Sequence, residues 1–269
     1  MSVSCMGATR SPCRLYKGRS RVPPSREPHP NHTASGGACG AECARRAREP
    51  GGYNPGMDWR GLYARERSRY EDGVRRLAPG QLVRVGNAAY GAGLALLMLG
   101  RGEEAMVWLE RAGARWRESV AAAGPTAWGR PVGALKAALL AGRHDQAAAF
   151  AGWTLGLGAA EAASPIGRYA ATLALLVLAR DGEARTLAAT LQDRDDFPAD
   201  VAAALVALAA RDEAAYAAAA ESVLRSFETR SAYLEDAPVA DTVLALQALA
   251  AGRGIAAALR PSALLPAGG

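Results

Sequence analysis

Two arginines at matching positions are the residues whose type and spacing most suggest binding chemistry. Arg130 and Arg168 are 38 residues apart, and each follows a glycine at the opening turn of a predicted helix. A guanidinium group forms paired hydrogen bonds with carboxylate or phosphate oxygens, and the adjacent Trp128 and Tyr169 would add aromatic contacts. Stacked on one face, these side chains would form a basic stripe. The favoured alternative is that each arginine lies along its own helix end or pairs with an acid such as Glu161.

Two further polar residues occupy comparable early turns of other predicted helices. Asn87 follows the start of a helix predicted over residues 82–99, and Asp241 follows the start of the last predicted helix. If the leading helices of successive hairpins share one face, these side chains extend the stripe. The predicted partner-binding residues are Asn87, Trp128, Arg130, Arg168, Tyr169 and Asp241.

The stretch 227–242 has the densest mixture of polar and aromatic residues after residue 57. Its acids are Glu228, Glu235, Asp236 and Asp241. They either form an acidic patch for a basic partner, or the pair Glu235-Asp236 stabilises the N-terminus of a helix that begins at Pro238. The second interpretation is favoured because the dipole of a helix attracts negative charge to its first turn.

No catalytic pattern is present in the sequence after residue 56. His144 is the one histidine there, and it lies in a predicted turn beside Asp145. A general base needs a neighbouring nucleophile or a bound water, whereas a histidine at a helix start is usually solvated. There is also no glycine-rich phosphate loop and no pair of residues with metal-ligand spacing. The sequence therefore predicts a protein that is not an enzyme and needs no cofactor.

Residues 1–56 differ in composition from the rest of the chain. They carry nine positive and three negative charges, whereas residues 57–269 carry 23 of each. The segment is rich in Pro, Gly, Ser and Arg, so it is predicted to be disordered; alternatively, Met57 is the true start of translation. Its residues Cys39, Cys43, His29 and His32 have spacings that zinc accepts, but few apolar residues frame them, so no metal site is predicted.

A recurring turn organises residues 57–269. An apolar run ends in a Gly/Arg/Asp turn, and an Ala-rich run follows at residues 99–105, 141–147, 179–184, 210–214 and 251–256. The alanines that open the first four of these Ala-rich runs are about 42, 37 and 30 residues apart, which is the repeat length of stacked helix pairs. Pro165, Pro198 and Pro238 lie where the next helices are predicted to begin, since proline is favoured at the first helical position.

The predicted architecture is therefore all-α, with about ten helices. Their predicted ranges are 59–77, 82–99, 103–120, 126–141, 144–156, 165–179, 183–193, 198–210, 212–230 and 238–251. The tail at Leu264-Leu265-Pro266 is predicted to cover the apolar end of the stack.

The segment from Leu97 to Ala112 resembles the turn and second helix of a tetratricopeptide-like helical hairpin repeat, with Gly100 and Ala105 at the small positions. The resemblance covers most of residues 82–256 as architecture. It implies a right-handed α-solenoid of about five antiparallel helix pairs, whose concave face binds a protein or peptide.

These observations favour a non-enzymatic scaffold that binds a protein or peptide. The alternatives are an immunity-type or regulatory bacterial protein that sequesters one effector, and an all-α enzyme with an unrecognised site. The zero net charge of residues 57–269 argues against nucleic-acid or membrane binding by the helical part. The absence of cysteine from that part, and of a signal-peptide pattern, predicts a cytoplasmic protein.

Overall fold

The structure, a computed structural model, describes residues 56–124 and 126–267. These residues form ten α-helices and no strand, as predicted: α1 (Trp59–Arg75), α2 (Leu82–Met98), α3 (Gly102–Ser119), α4 (Gly129–Leu140), α5 (His144–Gly156), α6 (Pro165–Val177), α7 (Asp181–Gln192), α8 (Ala199–Ala210), α9 (Glu213–Glu228) and α10 (Asp241–Ala251). Short 3₁₀ turns lie at Pro79–Gln81, Val120–Ala122 and Leu234–Asp236. The predictions for the N-terminal segment, including its disorder and the Cys/His pairs, concern residues that lie outside this description.

The five recurring turns share one hydrogen-bonding pattern. At the first turn, the N–H of Gly100 donates to the carbonyl oxygen of Leu97 (3.0 Å) and that of Arg101 donates to Leu96 (2.9 Å). This is the Schellman motif, which satisfies the last carbonyl groups of a helix through one residue in the left-handed conformation. The residues with positive φ at the five turns are Gly100, Gly142, Ala179, Arg211 and Gly254. Each of these turns therefore ends a helix, and each is specified by the same hydrogen bonds among a few consecutive residues.

Two of these turns allow a matched test of backbone strain. Gly100 has φ +70°, and no atom lies within 4 Å of the position that a Cβ would take, so Gly100→Ala adds left-handed strain without a steric clash. Ala179 has φ +55° and is exposed, so Ala179→Gly removes that strain. We expect Gly100→Ala to lower, and Ala179→Gly to raise, the free energy of unfolding by about 1 kcal/mol in urea titrations. Gly102→Ala, with equally open space but no positive φ, is the control and should not destabilise the protein.

Each helix from α1 to α9 packs against the next one along the chain, and α4 also packs against α6. Alanines with no exposed surface line many of these contacts, among them Ala134, Ala170 and Ala204. A methyl side chain lets helix axes approach closely, while leucines such as Leu173 and Leu205 fill the remaining space. The helices are therefore held together by a continuous apolar core of small and aliphatic side chains.

The last helix departs from this sequential order. Besides α9, α10 packs against α8 and α4. In an open solenoid each repeat contacts only its neighbours. The contact between α10 and α4 differs from this pattern, because it brings the last helix back to an early one. The segment 229–240, which we call the connecting segment, reaches further: its 3₁₀ turn contacts α2, and the Arg65 guanidinium donates to the carbonyl oxygen of Glu235 (2.8 Å).

The prediction that the last helix begins at Pro238 is wrong, because α10 begins at Asp241. The N–H of Ala240 donates to the carbonyl oxygen of Leu264 (2.9 Å), so this part of the chain pairs with the C-terminal tail before the helix starts. Leu264 itself is buried against the core. The described helices include none that is both long and apolar enough to cross a membrane.

Candidate binding pocket

A pocket of about 690 Å³ lies between α2, the end of α3, the first half of α4 and the segment 227–242. Its volume is in the range of pockets that hold small ligands or a few residues of a peptide. The apolar lining includes Val83, Leu94, Val132, Phe227 and Leu234. The pocket exists because the connecting segment and α10 return to α2 and α4, so its two sides come from distant parts of the sequence.

Trp116 forms one wall of the pocket, and two glycines make room for it. A Cβ at Gly86 of α2 would lie 2.8 Å from the indole ring, and a Cβ at Gly133 of α4 would lie 2.7 Å from it. The indole N–H donates to the side-chain oxygen of Asn87 (2.9 Å), which leaves the amide N–H₂ of this lining residue as a donor group that is free among the described residues. The Tyr90 ring packs against the same indole, with centroids 5.0 Å apart.

Four further lining residues form a hydrogen-bonded group that we call the Lys136 cluster: Tyr90, Lys136, Asp241 and Thr242. The Lys136 ammonium lies 2.6 Å from Oδ2 of Asp241 and donates to the Thr242 hydroxyl (3.0 Å). The Tyr90 hydroxyl donates to the same carboxylate oxygen (2.8 Å). Lys136 and Tyr90 are buried and Asp241 is partly exposed, so the cluster joins α2, α4 and α10 by charged hydrogen bonds with limited access to water.

Two tyrosines next to this carboxylate stay protonated over the whole physiological range. Burial, together with the charge of Asp241, raises the pKa of Tyr90 well above its usual value. The same two causes raise the pKa of Tyr169, whose hydroxyl is buried without a hydrogen-bond partner among the described residues. Both hydroxyls are therefore neutral, and that of Tyr90 donates to the Asp241 carboxylate.

The pocket lining carries an excess of positive charge. It contains three cations, Arg130, Lys136 and Arg230, and one anion, Asp241. Arg130 donates to the carbonyl oxygen of Ser119 (2.5 Å), and Arg230 lies over the Phe227 ring, 3.5 Å from its centroid. Among the described residues no carboxylate forms an ion pair with either arginine. Lys136 neutralises Asp241, so the two guanidinium groups are the charges that remain to act on a ligand.

The structure brings together three of the six predicted binding residues: Asn87, Arg130 and Asp241 line this pocket. The other three lie elsewhere. Trp128 packs against Gly167 at the start of α6, and Tyr169 is buried with its ring 5.5 Å from that of Phe197. Arg168 donates to the carbonyl oxygen of Ala162 (3.0 Å), the helix-end role that was the favoured alternative. A basic stripe shared by Arg130 and Arg168 is therefore not formed within this pocket.

The four acids of segment 227–242 each lie near a cation of another part of the chain, Asp236 at 3.7 Å from Arg65, and Glu235-Asp236 does not open α10. Glu235 pairs with Arg69 of α1, and Glu228 pairs with Arg260 and accepts a hydrogen bond from Ser262 (2.7 Å). Asp241 belongs to the Lys136 cluster. Each of these carboxylates thus ties the C-terminal part of the chain to another element, because folding brings a cation to it.

Sequence reasoning missed Trp116, Lys136 and Arg230 as pocket residues. The sequence could have singled out Lys136, since it is the one lysine in residues 57–269 and interrupts an otherwise apolar run. No sequence feature could have singled out Arg230, because its place in the pocket depends on the path of the connecting segment. His144 is the first residue of α5 and is exposed, away from this pocket.

Comparisons of the chain with protein-family models, characterised proteins and solved structures give no significant match. The interpretation of the pocket therefore rests on its geometry and chemistry alone.

Proposed function

We propose that this chain is a non-enzymatic protein- or peptide-binding scaffold, and that a segment of the partner enters the pocket. The observation that carries the proposal is the convergence of Asn87, Arg130 and Asp241 on one apolar pocket. A largely apolar cavity with a few oriented polar groups is the usual form of a binding site. The sequential packing of α1 to α9 supports the related proposal that the hairpins stack as a right-handed tetratricopeptide-like solenoid.

The Lys136 cluster favours binding over catalysis. Its charged and polar groups hydrogen-bond to one another, so they hold α10 in place and shape the pocket. Nucleophilic catalysis would instead need a nucleophile beside a base, with a free position for a reacting atom. The absence of cysteine after residue 56 also supports the proposal of a cytoplasmic location.

A bulky side chain in the pocket tests the proposal. Ala232 is exposed in the connecting segment and lines the pocket, so Ala232→Trp should obstruct it without disturbing the core. Ala149→Trp places the same ring on an exposed position of α5 outside the pocket and is the control. We expect proteins captured by the full chain from source cells to bind the purified Ala232→Trp variant at least about tenfold more weakly in titration calorimetry.

Partners that bind the wild type, the control and Ala232→Trp equally would contradict the proposal. Recovery of a single protein in stoichiometric amount would point to the narrower role of sequestering one effector.

A further inference from the structure

We infer that the partner segment held in the pocket presents an acidic side chain next to a large apolar one, and that Arg130 and Arg230 bind its carboxylate. This inference rests on the proposed function and specifies what the pocket recognises. It follows from the charges, from the hydrogen bonds that are already formed, and from the apolar walls.

Charge complementarity gives the first step. Residues 57–269 together have no net charge, yet the pocket lining has two more cations than anions. Lys136 lies within 2.6 Å of Asp241 and is compensated by it. The local excess therefore resides on Arg130 and Arg230. An anionic ligand compensates this excess, whereas a cationic ligand would be repelled by the two guanidinium groups.

The hydrogen-bonding state of the two arginines gives the second step. Arg130 uses one terminal nitrogen for the Ser119 carbonyl, which fixes the guanidinium and leaves its other N–H groups as donors. The Arg230 guanidinium lies over the face of the Phe227 ring, which orients it without using its N–H groups in a conventional hydrogen bond to a described residue. Asn87 adds an amide N–H₂ to the same lining. Donors dominate the pocket, so its matching ligand group is an acceptor with negative charge.

The apolar walls give the third step. Trp116, Val132, Tyr233 and Leu234 line the same pocket as the two arginines. Burying a large apolar side chain against such walls contributes binding free energy, while the carboxylate fixes its orientation. A pocket of about 690 Å³ holds a few residues of a peptide, so both groups must lie close together in the partner's sequence.

A synthetic pool of random heptapeptides, acetylated at the N-terminus and amidated at the C-terminus, is the probe, because its carboxylates are then side chains only. Peptides retained by the full chain are identified by mass spectrometry. Retained sequences are resynthesised together with their Glu→Gln or Asp→Asn counterparts. Dissociation constants are measured for the wild type, for Arg130→Gln, Arg230→Gln and the double variant, and for Ala232→Trp. Arg185→Gln, at an exposed position of α7 outside the pocket, is the control.

We expect retained peptides to contain Asp or Glu beside Phe, Tyr, Trp, Leu or Ile. Each arginine substitution should weaken binding about tenfold and the double variant about 30- to 100-fold, since a charge-assisted pair is lost in each case. The amide counterparts should lose affinity for the wild type to the same extent but little for the double variant. Arg185→Gln should leave the dissociation constant unchanged.

The outcomes that overturn the carboxylate inference differ from those that overturn the proposed function. Peptides that lose affinity for Ala232→Trp but keep it for the arginine double variant, or for which the amide counterparts bind equally well, overturn the inference about the carboxylate and leave the proposed function standing. A pool from which no peptide is retained, or retained peptides that bind Ala232→Trp as tightly as the wild type, overturn the proposed function itself.

Discussion

Replacing Lys136 by methionine is expected to lower the free energy of unfolding by about 3–5 kcal/mol, because it removes one partner of a buried ion pair. Methionine has nearly the volume and flexibility of lysine, so little packing is lost. The Asp241 carboxylate, however, would lose its cation in a largely buried position and retain Tyr90 as its strong donor. The cost arises from leaving this carboxylate without its cation, and chemical denaturation followed by circular dichroism measures it.

The double variant Lys136→Met/Asp241→Asn distinguishes this cause from a simple loss of packing. Asparagine keeps an acceptor for the Tyr90 hydroxyl and has no charge to compensate. We expect the double variant to regain at least half of the stability that Lys136→Met loses, because replacing a whole buried pair is often nearly neutral. A double variant whose loss equals the sum of the two single losses would show that the two residues are not coupled.

Arg253→Met is expected to lower the free energy of unfolding by about 3 kcal/mol by releasing the other end of α10. The Arg253 side chain is 7% exposed and donates to Oδ1 of Asp181 (2.5 Å) and to the carbonyl oxygen of Leu176 (2.7 Å). These bonds connect the turn after α10 to the junction of α6 and α7. The carbonyl and the carboxylate would both be left with fewer partners in a site from which water is largely excluded.

Asp181 shows how strongly this site favours charge pairing. Burial alone would raise the pKa of its carboxyl group, but hydrogen bonds from Arg253 and Arg211 outweigh burial and hold the pKa below its usual value.

Arg180→Met is the matched control for Arg253→Met, since Arg180 lies in the same turn as Asp181 but forms an exposed pair with Glu183. Solvent screens that exposed pair, so its loss should leave the free energy of unfolding almost unchanged. Relative to the wild type, hydrogen exchange in Arg253→Met should become faster for the α10 amides than for the α2 amides. An equal change in both helices would contradict the anchoring role.

Both predictions concern the position of α10, which was the least predictable part of the fold. The ends of α2, α4 and α6 were predicted to within two residues, because the turns that end them are local. A Schellman motif needs only a few consecutive residues, and glycine at its left-handed position is visible in the sequence after α2 and α4, whereas Ala179 takes that position after α6. The apolar periodicity between these turns was equally local. The boundary at Pro238 failed because the extended chain before α10 pairs with Leu264, more than twenty residues away along the sequence.

For the predicted binding residues too, the sequence shows the local pattern and tertiary contacts decide the role. Gly129-Arg130 and Gly167-Arg168 are the same dipeptide near the start of α4 and of α6, and the sequence pattern therefore gives them one predicted role. The structure separates them: Arg130 lines the pocket, while Arg168 is bonded to the carbonyl of the preceding connection. The two helix starts differ in what lies next to them, since the connecting segment passes beside the start of α4.

The sequence by itself determined the ten helices, the turns that end them and the division of charge between residues 1–56 and 57–269. These properties depend on side-chain type, hydrogen bonds over a few residues and a count of charges. Only the tertiary structure decided that α10 returns to α4, that Lys136 finds Asp241 and Thr242, and that Arg130 and Arg230 line one pocket. Such contacts join residues about a hundred positions apart, and they form because α10 buries its apolar surface against α4, α8 and α9, a choice that no local pattern encodes.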